Sequence, residues 1–181
     1  MAAFTVIEHE EIATGGVVSW SETSIAASYD HLLLKVSGRS ERSGAYDDEW
    51  KIQLNGSTST SDYSCTNLTA MTGTPISERY ATGVRDGFIK QTVPAALIEA
   101  DTFGIINMWI PNYANTANFK QILVSNGKST ASTTNYRWAV QQIAGVFHST
   151  AAISQILVTS RSGLGDIAEF STFTLYGVTG A

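Results

Sequence analysis

The sequence predicts an all-β fold: a two-sheet antiparallel β-sandwich of the jelly-roll kind, with about eight to ten strands and at most one short helix. Three observations predict it. Apolar residues recur with period two along most of the chain, which is the mark of half-buried strands. Clusters of Gly, Asn, Asp and Ser interrupt these stretches at short intervals. Only 15% of the residues are charged, against a typical ~25%. Ser, Thr, Asn and Gln must therefore clothe the surface, and they suit strand faces and turns better than helices.

In chain order, "FTVIEHEEI" is the first strand candidate. Residues 1–14 read equally as a strand of the chain's own sheet or as an N-terminal arm. Such an arm would add a strand to a neighbouring subunit through Phe4, Val6 and Ile7. "DHLLLKVSG" turns Leu32, Leu34 and Val36 inward and His31, Lys35 and Ser37 outward. "EWKIQL" does the same with Trp50, Ile52 and Leu54. "GSTSTSDYS" reads as a hairpin loop. "VPAALIEAD" is the one helical candidate, with Pro94 in a first turn. "TFGIINMWI" is apolar at nearly every position, as a central strand buried on both faces is. "FKQILVS" follows, and "SNGKSTASTTN" reads as a turn cluster. "NYRWAVQQIAGVF" is a long strand that Gly145 is expected to bulge or bend. "ISQILVTS" is another short strand. The alternation in "STFTLYG" runs almost to the end of the chain, so the last strand is expected inside a sheet, paired on both sides.

The whole of 1–181 reads as one sandwich domain, and a chain of this length buries roughly 70% of its unfolded surface without a metal or disulfide. Cys65 is the single cysteine. The formal net charge of −5 and the lack of a Lys/Arg cluster exclude phosphate-contact nucleic-acid binding and disfavour anionic membranes. No apolar run approaches ~20 residues, and the N-terminus lacks a basic region with a long apolar core. These features lead to the expectation of a soluble protein made in a cytoplasm.

Catalytic and metal patterns are weak. His9, His31 and His148 show no metal-ligand spacing, and no G-x-S-x-G elbow occurs. "YDDEW" offers Asp47, Asp48 and Glu49 to a calcium ion, but alternation points Asp48 away from the other two. A solvated strand entrance, neutralised by Arg39 and Arg42, is the plainer reading. Glu99, Asp101 and Asp166 cannot be paired into a glycosidase dyad from sequence. "GVRDG" and "SGLGD" are turns, not phosphate loops. In "MWIPNYANTANFKQ", Pro111 ends a strand. Asn112 and Tyr113 then turn. Tyr113 either plugs the end of the sandwich or stands exposed, with Tyr46, to stack on a sugar ring. The chain is expected not to be an enzyme and to need no cofactor.

The ordered set "YDHLLLKVSGRS", "WKIQLNG", "DYS", "IPNYANTANFKQ" and "ISQILVTS...FSTFTLYGV" resembles a group of small structural proteins of tailed bacteriophages, particularly marine and cyanobacterial ones. The match spans residues 29 to 178, with "FST" standing where that group has "GS". The resemblance implies a jelly-roll virion component, made in the host bacterial cytoplasm, with no known active site. It implies a capsid decoration (cement) protein whose partner is the major capsid protein, or a tail-associated protein. Capsid three-fold positions favour a homotrimer. The alternative is a tail or fibre module that binds host carbohydrate.

Overall fold

A computed structural model of the chain describes residues 3–71, 74–80, 88–130 and 138–180, with the backbone alone for 88–91. Twelve strands lie among the described residues: β1 (Ala3–Glu11), β2 (Ser19–Glu22), β3 (His31–Gly38), β4 (Asp47–Leu54), β5 (Tyr63–Met71), β6 (Ile76–Tyr80), β7 (Phe88–Pro94), β8 (Gly104–Pro111), β9 (Lys120–Lys128), β10 (Ala139–Phe147), β11 (Ile156–Ser160) and β12 (Thr172–Thr179). They form two antiparallel sheets, an eight-stranded one in the order β1-β12-β3-β8-β9-β10-β5-β6 and a four-stranded one in the order β2-β11-β4-β7.

The pairing explains the topology. β1 pairs with β12, β2 with β11, β3 with β8 and β4 with β7. A long antiparallel ribbon, first strand against last, has been folded over so that its strands interleave into two stacked sheets. That is the double Greek key of a jelly roll. Two insertions are added to its eight strands. β5 and β6 lie between β4 and β7 in the chain, β9 and β10 between β8 and β11, and all four extend one sheet. They account for twelve strands where the sequence predicts eight to ten.

The clean alternation of β3, β4 and β12 is realised as read. Leu32, Leu34 and Val36, then Trp50, Ile52 and Leu54, then Phe173 and Leu175 are all buried. β12 is hydrogen-bonded on both sides, to β1 and β3. Phe173 of the eight-stranded sheet stacks on two aromatics of the four-stranded sheet, 4.8 Å from the Trp20 ring and 6.0 Å from the Trp50 ring. Burying a phenyl group here contributes about 1.5–3 kcal/mol. Gly38 is required by the same contact, because a Cβ there would sit 2.5 Å from the Trp50 ring.

Five expectations are corrected. "VPAALIEAD" is not helical: Pro94 ends β7, and the amides of Ala95 and Leu97 bond to the carbonyls of Tyr46 and Ala45 across the loop. Among the described residues the one helical turn is a 3₁₀ turn at Thr60–Asp62. The segment containing it is not a hairpin loop, since β4 and β5 belong to different sheets. Gly145 makes no bulge, and both ladders of β10 run through it unbroken. The register shifts instead at Val6/Glu8 in β1 and at Trp50/Ile52 in β4. Ser125–Lys128 is the end of β9, not a turn, with Asn126 and Lys128 facing inward. Finally, β8 is central but buried on one face only: Ile106, Met108 and Ile110 point inward, while Ile105 is 57% exposed. "GVRDG" lies outside the described residues.

Candidate functional site

Of the two readings of Tyr113, the plug at the end of the sandwich is the one realised, and the exposed one is not. Tyr113 is fully buried. Its hydroxyl donates to the Ala26 carbonyl and accepts from the Tyr29 amide at 3.3 Å. Burial raises its phenol pKa above the ordinary value. Tyr113 therefore closes one end of the sandwich and has no ring face for a sugar. Asn112 beside it is exposed, in a left-handed turn with φ 50°. Tyr46 is half-buried just before β4, at the opposite end from Asn112. The fold thus separates two of the aromatics that favoured the carbohydrate-binding alternative.

Phe4 and Val6 are exposed and Ile7 is half-buried against the core. All three belong to β1, which pairs with the chain's own β12, so this segment is a strand of its own sheet.

The acidic run does not converge on an ion. Asp47 pairs with Lys128, and Glu49 with Arg161. Buried Asp48 accepts from Ser40 Oγ at 2.7 Å and lies 3.6 Å from Arg42. Arg39 turns elsewhere and donates to the carbonyls of Ile98, Glu99 and Thr102, where burial lowers its pKa. Among the described residues no three His, Cys, Asp or Glu side chains gather around a metal position. Each histidine has its own separate partner. His9 meets Thr174 Oγ1 at 2.8 Å, His31 lies against Trp109 at 5.0 Å, and His148 meets Ser64 Oγ at 3.0 Å. Cys65 is buried. Among the described residues no helix is long and apolar enough to cross a membrane.

Two surfaces remain. The first is the end of the sandwich where β3, β7 and β11 finish and β4, β8 and β12 begin. Its loops expose Val18 (70%), Leu164 (68%), Phe170 (59%) and Leu97 (50%). A cleft of about 400 Å³ opens there between Arg39, Glu41, Asp101, Phe103 and Phe170. Phe170 is held at φ 64°, a left-handed conformation that costs a residue with a Cβ roughly 1–2 kcal/mol. Its amide donates to the Ile12 carbonyl at 2.9 Å, and the Ile12 amide donates to the Ser171 carbonyl at 2.8 Å, so the turn is clamped in place.

The second is the outer face of the eight-stranded sheet. Cross-strand register orders its residues into rows that run perpendicular to the strands. One row is apolar: Val6, Tyr176, Leu33, Trp109, Leu123 and Ala144. The next is polar: His9, Thr174, Lys35, Asn107, Ser125 and Gln142. Sequence reading missed both. The signal was present in "TFGIINMWI", whose second apolar face is outward-facing surface rather than core. No protein-family model matches this chain, and no curated protein matches it.

Proposed function

We propose that the chain is a structural protein of a bacteriophage particle, a capsid decoration or cement protein that adheres to the major capsid protein lattice and stabilises the head. The resemblance of its ordered motifs to small phage structural proteins supports the phage setting. The jelly-roll sandwich supports a role in shape and adhesion.

One observation carries the adhesive reading: large apolar side chains, Val18, Leu97, Leu164 and Phe170 among them, stand exposed in the loops of a single end. Exposed apolar surface rimmed by polar groups marks a protein contact. Phe170 sharpens this. It keeps a strained backbone and gains no burial in return, so its ring serves a contact outside the molecule. Three copies around a lattice three-fold axis would each contribute a modest patch, and the patches add through multivalency.

The test is binding of purified protein to expanded capsids, with electron microscopy of the decorated particle. The wild type is expected to saturate sites on the head and to run in solution at three times the 19.4 kDa chain mass. Phe170→Ala combined with Leu164→Ser is expected to weaken capsid binding more than tenfold with little change in melting temperature. A monomer that leaves capsids bare would sink the reading. Density at the tail tip would favour the second reading, a tail or fibre module, for which the polar row on the sheet face is the favouring observation.

A further inference from the structure

The polar row on the outer sheet face has the geometry of a trough. Thr174, Lys35 and Asn107 are directly opposite one another on β12, β3 and β8, and Ser125 and Gln142 continue the line on β9 and β10. Neighbouring strands are about 4.8 Å apart, so the five residues span roughly 19 Å with one polar side chain per step. That step is close to the length of one pyranose unit. A groove of about 370 Å³ follows part of the line, with Lys35, Asn107, Thr174 and Tyr176 in its walls.

The flanks matter as much as the floor. Tyr176 and Trp109 lie in the adjacent row, about 7 Å away along the strands. Each is already braced by a neighbour: Tyr176 by the edge of Phe4 at 6.2 Å, Trp109 by His31 at 5.0 Å. Pre-ordered aromatics lose little entropy on binding. Lys35 is exposed, and among the described residues neither its side chain nor that of Asn107 has a hydrogen-bond partner.

We infer that the outer face of the eight-stranded sheet binds a linear polysaccharide. One sugar sits per strand along the row from Thr174 to Gln142, with Tyr176 and Trp109 stacking on ring faces and Lys35 taking a carboxylate-bearing sugar. A second copy of the chain is the weaker fit. Covering this face with protein would strip water from Lys35 and Asn107 without supplying partners. A sugar's hydroxyls satisfy such groups, while its C–H face covers an aromatic ring. The inference goes beyond capsid adhesion and holds wherever the protein sits in a particle.

The test is calorimetric titration of the isolated protein with cellohexaose, cellobiose and an alginate hexamer. Both hexamers are expected to bind, cellohexaose at least tenfold more tightly than cellobiose because only the longer chain spans the row. Asn107→Ala and Tyr176→Ala are each expected to cost about tenfold, and Tyr176→Phe to retain binding. The alginate hexamer is expected to bind more tightly than cellohexaose because its carboxylates meet Lys35, and Lys35→Ala, at an exposed position, is expected to remove that preference and leave cellohexaose unchanged. The inference is overturned if neither hexamer binds, or if length makes no difference. It is also overturned if the protein self-associates through this face, so that Leu123→Lys with Val140→Lys, at two exposed positions on β9 and β10 of the same face, abolishes the association. Capsid binding, read through Phe170 and Leu164, fails or succeeds independently of these titrations.

Discussion

The two halves of the eight-stranded sheet solve the problem of their inner face differently. In β1-β12-β3-β8 the inward residues of the three inner strands are apolar, among them Phe173, Leu175, Leu32, Leu34, Ile106 and Met108. They belong to one core with Trp20, Trp50, Ile52 and Val158 of the four-stranded sheet. In β9-β10-β5-β6 the inner face mixes Ile122, Val124, Ile143 and Tyr63 with buried Asn67, Thr69, Asn126, Lys128 and Gln141. Thr92 of β7, the edge strand of the smaller sheet, shows what the polar groups do. Its amide donates to Gln141 Oε1 at 3.1 Å, and its carbonyl accepts from Asn126 Nδ2 at 3.2 Å. Gln141 Nε2 in turn donates to Thr69 Oγ1 at 3.2 Å. Where sheet stacks on sheet, apolar packing suffices. Where the extension meets an open strand edge, side-chain amides complete that edge's backbone hydrogen bonds, which also blocks pairing with another chain.

The largest test of this contrast is to empty the apolar half. Phe173→Ala removes the ring between Trp20 and Trp50 and is expected to cost about 3–5 kcal/mol, read by chemical denaturation. A loss under about 1 kcal/mol would mean that the two sheets are not held by this stack.

The corresponding cut in the polar half is Asp47→Ala. The Lys128 side chain is fully buried and Asp47 largely so. Removing the carboxylate leaves the ammonium in the interior without it, at an expected cost of about 3 kcal/mol. Asp47→Leu with Lys128→Met is expected to recover most of that loss, because two apolar groups need no desolvation compensation. Failure of the double variant to recover would show that the pair specifies the position of β4 against β9 rather than merely tolerating burial.

The same contrast explains what the sequence disclosed. β3, β4 and β12 were legible because period two fixes which side chains face the core, and each has one wet face and one dry face. Pro111 marked the end of its strand because it cannot continue a ladder in both directions. The trimmed ends of the extension were not legible. "SNGK" has the composition of a turn, but Asn126 and Lys128 are used as inward hydrogen-bonding and ion-pairing groups, and tertiary partners override local propensity. The rows on the outer face were invisible for a deeper reason. Positions 9, 174, 35, 107, 125 and 142 are adjacent only through cross-strand register, and which strands pair, and in what register, is settled by long-range packing rather than by any local stretch of sequence. Tyr113 and Tyr46 both looked exposed because each is an aromatic near an Asn- or Asp-rich turn. The fold sends them to opposite ends.

A smaller effect probes the amide grip itself. Gln141→Leu keeps the volume near constant but leaves the Thr92 amide without that acceptor. The expected loss is about 1–2 kcal/mol. It should be local as well as global: amide exchange at Thr92 is expected to accelerate while exchange at Leu34 and Leu175 follows only the global change. Uniform acceleration would argue that Gln141 belongs to the common core and not to an edge cap.

The smallest effect is a pH slope at the far end of the extension. Lys120 opens β9 with its side chain buried, and its ammonium donates to the carbonyls of Asn115, Asn118 and Thr150 at 2.5, 2.8 and 2.9 Å. Burial lowers its pKa below the ordinary 10.5. The unfolded chain therefore keeps this proton to higher pH than the folded chain does. Stability linked to Lys120 is absent below the folded pKa, grows as pH rises through it, and is complete above 10.5. The wild type should thus gain on Lys120→Met as pH is raised from neutrality, since every other titrating group is common to both proteins. Denaturation of the pair at a series of pH values reads the difference directly. A wild type that loses ground to Lys120→Met as pH rises would mean that the three carbonyls hold the charged form more strongly than burial opposes it, and that the polar half tolerates a cation as well as the apolar half tolerates a ring.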